Sequence, residues 1–169
     1  MFSGFTSYAS LSAIQKGLTP AQAAGFLSCF SLASLGGRIL TGTIDRLHIP
    51  KKLVSVVEYA GVALGCLVLA NAASAAHFYA ASVLCGFCAG IHATIFPLLI
   101  PEYFGNKAFS VLYGAFNTIS NVGSTLTPLA VYAIATAAGG FRLPYMLIAA
   151  ILALCVFVSA AMKPWRPAA

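Results

Sequence analysis

Along this chain apolar residues gather into runs of about twenty, and the polar and charged residues fall in short breaks between them. A run of that length predicts a helix that crosses a bilayer, which needs roughly 17–25 mostly apolar residues. Charges, prolines and glycines mark the breaks and divide the chain into six segments. The first, 1–14, is too short to span and is closed by Gln15-Lys16-Gly17-Leu18-Thr19-Pro20. The second runs from Ala21 to Ile44 and ends at Asp45-Arg46. Leu53 to Ala73 and His77 to Ile100 form the third and fourth. The fifth extends over 108–138, up to Gly139-Gly140, and the sixth runs from Leu143 to Met162, where Lys163-Pro164 stops it. The pattern predicts an all-α membrane protein, a single six-helix bundle over 1–169 whose first helix is partial. The short first segment leads us to expect a piece of a longer protein.

Composition strengthens this picture. Of 169 residues 60% are hydrophobic and 7% charged, whereas a soluble domain carries about a quarter charged residues to cover its surface. The net charge of +6 does not point to nucleic acid, because the basic residues stand singly at the ends of apolar runs. Their distribution sets an orientation instead. Arg46, Lys51, Lys52, Lys107, Lys163 and Arg166 lie on one side of the alternation, and Lys16 and Arg142 on the other. By the positive-inside rule the first group, and with it the C-terminus, is cytoplasmic in a multi-pass cell-membrane protein. The cysteines of Cys85-Gly-Phe-Cys88 sit inside an apolar run without further ligands and read as small apolar filler. Gly61 and Gly65, like Gly86 and Gly90, form small-xxx-small pairs that let helices approach.

Polar groups inside the apolar runs are the candidate chemistry, since charge at mid-membrane is costly and tends to mark function. Arg38 lies six residues before Ile44, about 9 Å inside the end of its helix at 1.5 Å per residue. Its planar fork suits a carboxylate; snorkelling to the headgroups or pairing with Asp45 is the alternative. Glu58 reads first as a partner for Lys51 or Lys52 and second as a titrating carboxyl. His92 is either a proton carrier or a neutral, hydrogen-bonded histidine. Asn117, Ser120, Asn121, Ser124 and Thr125 fall at spacings of three and four on one helical face. That face lines a cavity or bonds to a neighbouring helix. There is no catalytic constellation, metal-ligand cluster or cofactor-binding loop, so the chain does not read as an enzyme.

The stretch Gly37-Arg38-Ile39-Leu40-Thr41-Gly42-Thr43-Ile44-Asp45-Arg46, followed by Pro50-Lys51-Lys52, resembles the eighth helix and following loop of major facilitator superfamily transporters. Glu102-Tyr103-Phe104-Gly105-Asn106-Lys107-Ala108-Phe109 with Tyr113-Gly114 is similar to the loop between helices ten and eleven. Gly139-Gly140-Phe141-Arg142 resembles the turn between eleven and twelve. The nearest likeness is to the monocarboxylate and oxalate/formate porter branch. The resemblance implies helices seven to twelve of a twelve-helix transporter working by alternating access, with an N-terminal six-helix half as partner. It also implies a small organic anion as substrate, in symport with protons. Arg38 and Gly42 match the branch's substrate-facing arginine and the glycine four residues on, while His92, Asn117, Ser120 and Asn121 would line the path. Asp45, Arg46 and Lys51 would form the gating loop. Two residues separate Gly42 from Asp45, where the family has three. The branch's dicarboxylate porters carry a lysine in helix eleven that this chain lacks, which favours a monocarboxylate. The competing expectations are an exporter of drugs or sugars and a non-transporting membrane assembly protein.

Overall fold

A computed structural model describes Ala9 and residues 11–44, 49–72 and 74–161. Helix α1 covers 11–15, α2 Pro20–Ile44, α3 Lys51–Ala70, α4 Ala75–Phe104, α5 Phe109–Ala138 and α6 Arg142–Ala161. No strand occurs among the described residues. Among the described residues four helices are long and apolar enough to cross a membrane: Pro20–Thr43, Lys51–Ala70, Ala75–Phe104 and Arg142–Ala161. At thirty residues, or roughly 45 Å, α5 has the length but not the apolarity, because its run of Asn, Ser and Thr side chains interrupts the hydrophobic ones.

Local chemistry explains where the helices start and stop. Gln22 Oε1 accepts from the Thr19 amide at 3.0 Å, and Thr19 Oγ1 accepts from the Gln22 amide at 3.3 Å. With Pro20 at the first helical position, this capping box starts α2. Gly17, at φ 85°, ends α1 with Leu18 N–H on the Ala13 carbonyl and Gly17 N–H on that of Ile14. Gly139, at φ 70°, ends α5 in the same way, with Gly140 N–H on the Ala135 carbonyl. Both are Schellman turns, whose left-handed residue costs glycine little. Helix α4 passes through Pro97 and Pro101 to Phe104, four residues beyond the end read from the sequence. Each proline removes one backbone hydrogen bond, yet the flanking turns remain intact up to Gly105, whose amide bonds the Pro101 carbonyl at 2.9 Å.

Helix α4 is the hub, packed along α2 on one side and α3 on another, while α6 lies against α3. The core holds Phe26, Leu69, Phe78, Cys85, Tyr145 and Leu152. Glycines set the close contacts. A Cβ at Gly86 would lie 2.9 Å from the Cα of Phe30, and one at Gly90 2.8 Å from the carbonyl carbon of Ser34. On the other face, Cys88 Sγ fills the notch at Gly61, and Cys85 Sγ that at Gly65. The cysteines are thus interlocking filler, and all five are free thiols. Helix α5 touches α4 and α6 lightly and buries Val131 and Ala135.

Candidate functional site

Glu58 and His92 come together between α3 and α4. The Glu58 side chain, on the second turn of α3, is 2% exposed, and its Oε1 lies 2.5 Å from His92 Nδ1. The carboxylate thus pairs with a histidine 34 residues on, rather than with Lys51 or Lys52. Lys51 instead reaches Glu102 Oε2 at 3.5 Å, bridging the ends of α3 and α4. At 1.5 Å per residue, Glu58 lies about 10 Å along α3 from Lys51. His92 keeps 35% of its side chain exposed. Its ring stacks on Phe96 at 5.6 Å and faces Tyr59 at 6.3 Å, and Phe96 meets Phe116 of α5 edge-on at 5.1 Å. An aromatic ladder therefore joins α3, α4 and α5 beside the pair.

Arg38 is exposed on α2 and forms no ion pair among the described residues. Its neighbour Gly37 passes so close to α4 that a Cβ there would lie 3.0 Å from the Ile91 amide nitrogen. Arg38 and His92 therefore stand at the same depth on two packed helices. Asn117 follows Phe116, which places the polar face of α5 at the level of Phe96. Asn117, Ser120, Asn121 and Thr125 are exposed there and Ser124 is half-buried. Ser124 and Thr125 bond back to the Asn121 carbonyl, each at 3.0 Å, so their hydroxyls are satisfied within the helix. Asp45 and Arg46 lie outside the described residues, and Lys51 is the member of the expected gating loop whose contacts are seen.

Below the ladder, between α3, α4, α5 and α6, is a cavity of about 280 Å³. Tyr59, Phe96 and Phe116 form one wall, Cys155 and Val158 another, and Lys52 stands at its edge. At the opposite end of the bundle, Lys16 Nζ donates to the Ala72 carbonyl at 2.6 Å and lies over the Phe78 ring, 5.7 Å from its centroid. Burial, and then the Arg142 guanidinium, hold its ammonium below the ordinary lysine range. Ser12 donates to the Ala9 carbonyl, and its hydroxyl shares a 3.0 Å hydrogen bond with Tyr145. Among the described residues there is no His/Cys/Asp/Glu cluster able to hold a metal.

The sequence drew attention to Arg38, Glu58 and His92 separately but missed the pairing of the last two, as well as Glu102, Tyr59, Phe96 and Phe116. Aromatic residues in an apolar run carry no signal of their own, since most such rings are packing.

Exposed cationic and amide side chains on long helices, beside a polar–aromatic seam and a cavity, suit passage or binding of a polar solute. No curated protein matches the chain. The family model of the Major Facilitator Superfamily matches residues 1–168. The chain therefore belongs to the Major Facilitator Superfamily, a family of multi-pass membrane transporters.

Proposed function

We propose that the chain supplies one half of the transport path for a small organic anion, a monocarboxylate moved in symport with a proton by alternating access. A second six-helix half completes the path. The observation that carries this reading is Arg38, a permanently charged fork that is exposed about 9 Å inside its span and forms no ion pair among the described residues. Desolvating a guanidinium there is costly, and a carboxylate ligand offsets that cost with two parallel hydrogen bonds. The exposed amides of Asn117 and Asn121 supply neutral donors on a neighbouring helix, and His92 sits at the depth of Arg38. The same reading assigns Asp45, Arg46 and Lys51 to conformational gating on the cytoplasmic side, where the C-terminus also lies.

The test is uptake of labelled small carboxylates by proteoliposomes holding the chain together with its partner half. Uptake is saturable, competed by monocarboxylates and weakly by dicarboxylates. Arg38→Lys keeps the charge but loses the fork, so kcat/KM falls roughly 10- to 100-fold, the value of a charge-assisted hydrogen bond. Flux that Arg38→Lys leaves unchanged would overturn the anion reading in favour of a drug or sugar carrier. Complete absence of solute flux would favour an assembly role.

A further inference from the structure

We infer that Glu58 and His92 form one proton-binding site, closed off from the neighbouring cavity by the rings of Tyr59, Phe96 and Phe116. Its use in symport rests on the transport reading above; its existence as a site does not.

Charge decides how many protons the pair holds. With none its net charge is −1, with one it is zero, and with two it is +1. Glu58 is the one buried ionisable side chain among the described polar core residues, and a net charge between packed helices is penalised by desolvation. The neutral, singly protonated pair is therefore the resting form. A 2.5 Å separation lets that proton sit on either atom without moving the helices. Losing or gaining a proton becomes feasible where water reaches His92, which keeps an exposed edge while Glu58 does not.

The surroundings supply the control. Titratable and charged groups around the pair are Tyr59 on α3, which has Cys155 of α6 beside it, and Cys88 on α4, with Arg38 at the same depth on α2. Arg38 is the permanent charge among them. An anion bound to Arg38 cancels the positive field that favours the deprotonated pair, so anion and proton bind with mutual support. The way in is the cavity, because Tyr59 and Phe96 both line it and both pack on the His92 ring. Phe116 leans on Phe96 from α5, the most lightly packed of helices α2–α6. A swing of α5 withdraws Phe116 and frees Phe96 to rotate. A hydronium ion in the cavity then hands its proton to the deprotonated pair, restoring the neutral form, and leaves as water. In the opposite state the pair returns the proton to a water molecule.

Two measurements test the site. In nanodiscs, the His92 ring nitrogens are followed by NMR from about pH 5 to pH 9, the range over which histidines change charge. In the wild type His92 titrates, and Glu58→Gln displaces its midpoint. An unmoved midpoint, or a His92 ring that does not titrate, would overturn the shared site. In proteoliposomes with the partner half, Glu58→Gln keeps lactate counterflow but loses accumulation driven by a pH gradient at least about tenfold, within the usual range of coupling. Retained gradient-driven accumulation in Glu58→Gln overturns the site's role in symport. If the wild type moves no lactate at all, the anion reading fails, and the NMR titration still decides the proton site. Should Glu58→Gln not fold, His92→Gln, which leaves Glu58 in place, serves in the transport measurement, and the infrared band of the Glu58 carboxyl replaces the ring signals.

Discussion

The seam between α2 and α4 allows a quantitative test of how the bundle is held. A Cβ added at Gly90 would stand 2.8 Å from the Ser34 carbonyl carbon and 3.0 Å from its Cα, with the carbonyl oxygen closer still. Nonbonded carbons rest at about 3.5–4.0 Å, so the two helices must part by roughly 0.7 Å or more. Backbone lies on both sides, and no rotamer change relieves the clash. A gap of 0.5–1 Å forfeits a quarter to a half of each contact's dispersion well, and about 40 atom pairs at 0.1–0.2 kcal/mol each lose on the order of 2 kcal/mol together. That falls within the roughly 1–3 kcal/mol typical of overpacked cores. Gly90→Ala should therefore destabilise the protein in detergent by about 2 kcal/mol. Gly123→Ala is the control, because a Cβ there meets nothing within 4 Å, and the gain in helix propensity alone should raise stability by about 0.5–1 kcal/mol. The assay is reversible unfolding in mixed micelles followed by far-UV circular dichroism. If Gly90→Ala is as stable as Gly123→Ala, close backbone contact is not what joins α2 to α4.

Substitutions at the Lys16 end of the bundle bear on separate points. Ser12→Ala leaves the buried Tyr145 hydroxyl without its hydrogen-bond partner and costs roughly 1–3 kcal/mol, whereas Tyr145→Phe leaves Ser12 still bonded to Ala9 and costs about 0.5–1.5 kcal/mol. The same unfolding assay should give that order, and the reverse would show that packing outweighs the hydrogen bond. Lys16 binds fewer protons folded than unfolded as pH rises through its depressed folded value. Stability should therefore increase with pH from that value up to the ordinary lysine value of 10.5, then level off. Removing the second cause, with Arg142→Gln, moves the Lys16 value upward and slows its labelling by an amine-reactive ester near neutral pH; unchanged labelling would refute the coupling.

Much of this architecture is legible along the chain because its causes are local. Thr19-Pro20-Ala21-Gln22 starts a helix by capping its own amides, and Gly17 and Gly139 end helices by adopting a left-handed turn. Neither depends on what lies across the bundle. The apolar runs, together with so little charge, specify a membrane protein for the same reason, since each residue's transfer into lipid is its own affair. Proline is the local signal that misleads here. Pro97 and Pro101 suggest a stop near Ile100, but the carbonyls they leave unbonded are tolerated inside a packed α4 that runs on to Phe104.

The class of the protein, the helix starts and stops set by local caps, and the short set of polar residues worth watching are legible in the sequence. Tertiary structure decided what those residues do together. Whether Glu58 meets a lysine on its own helix or a histidine on the next depends on the register of α3 against α4. The notches at Gly61 and Gly65, filled by Cys88 and Cys85, set that register. One residue of slip is about 1.5 Å of rise and 100° of rotation, enough to part a pair held at 2.5 Å. The polar face of α5 was visible as spacing, but its exposure follows from how little of α4 and α6 that helix covers. Spacing along one helix fixes which side chains share a face, and only the fit of small residues between helices fixes what that face meets.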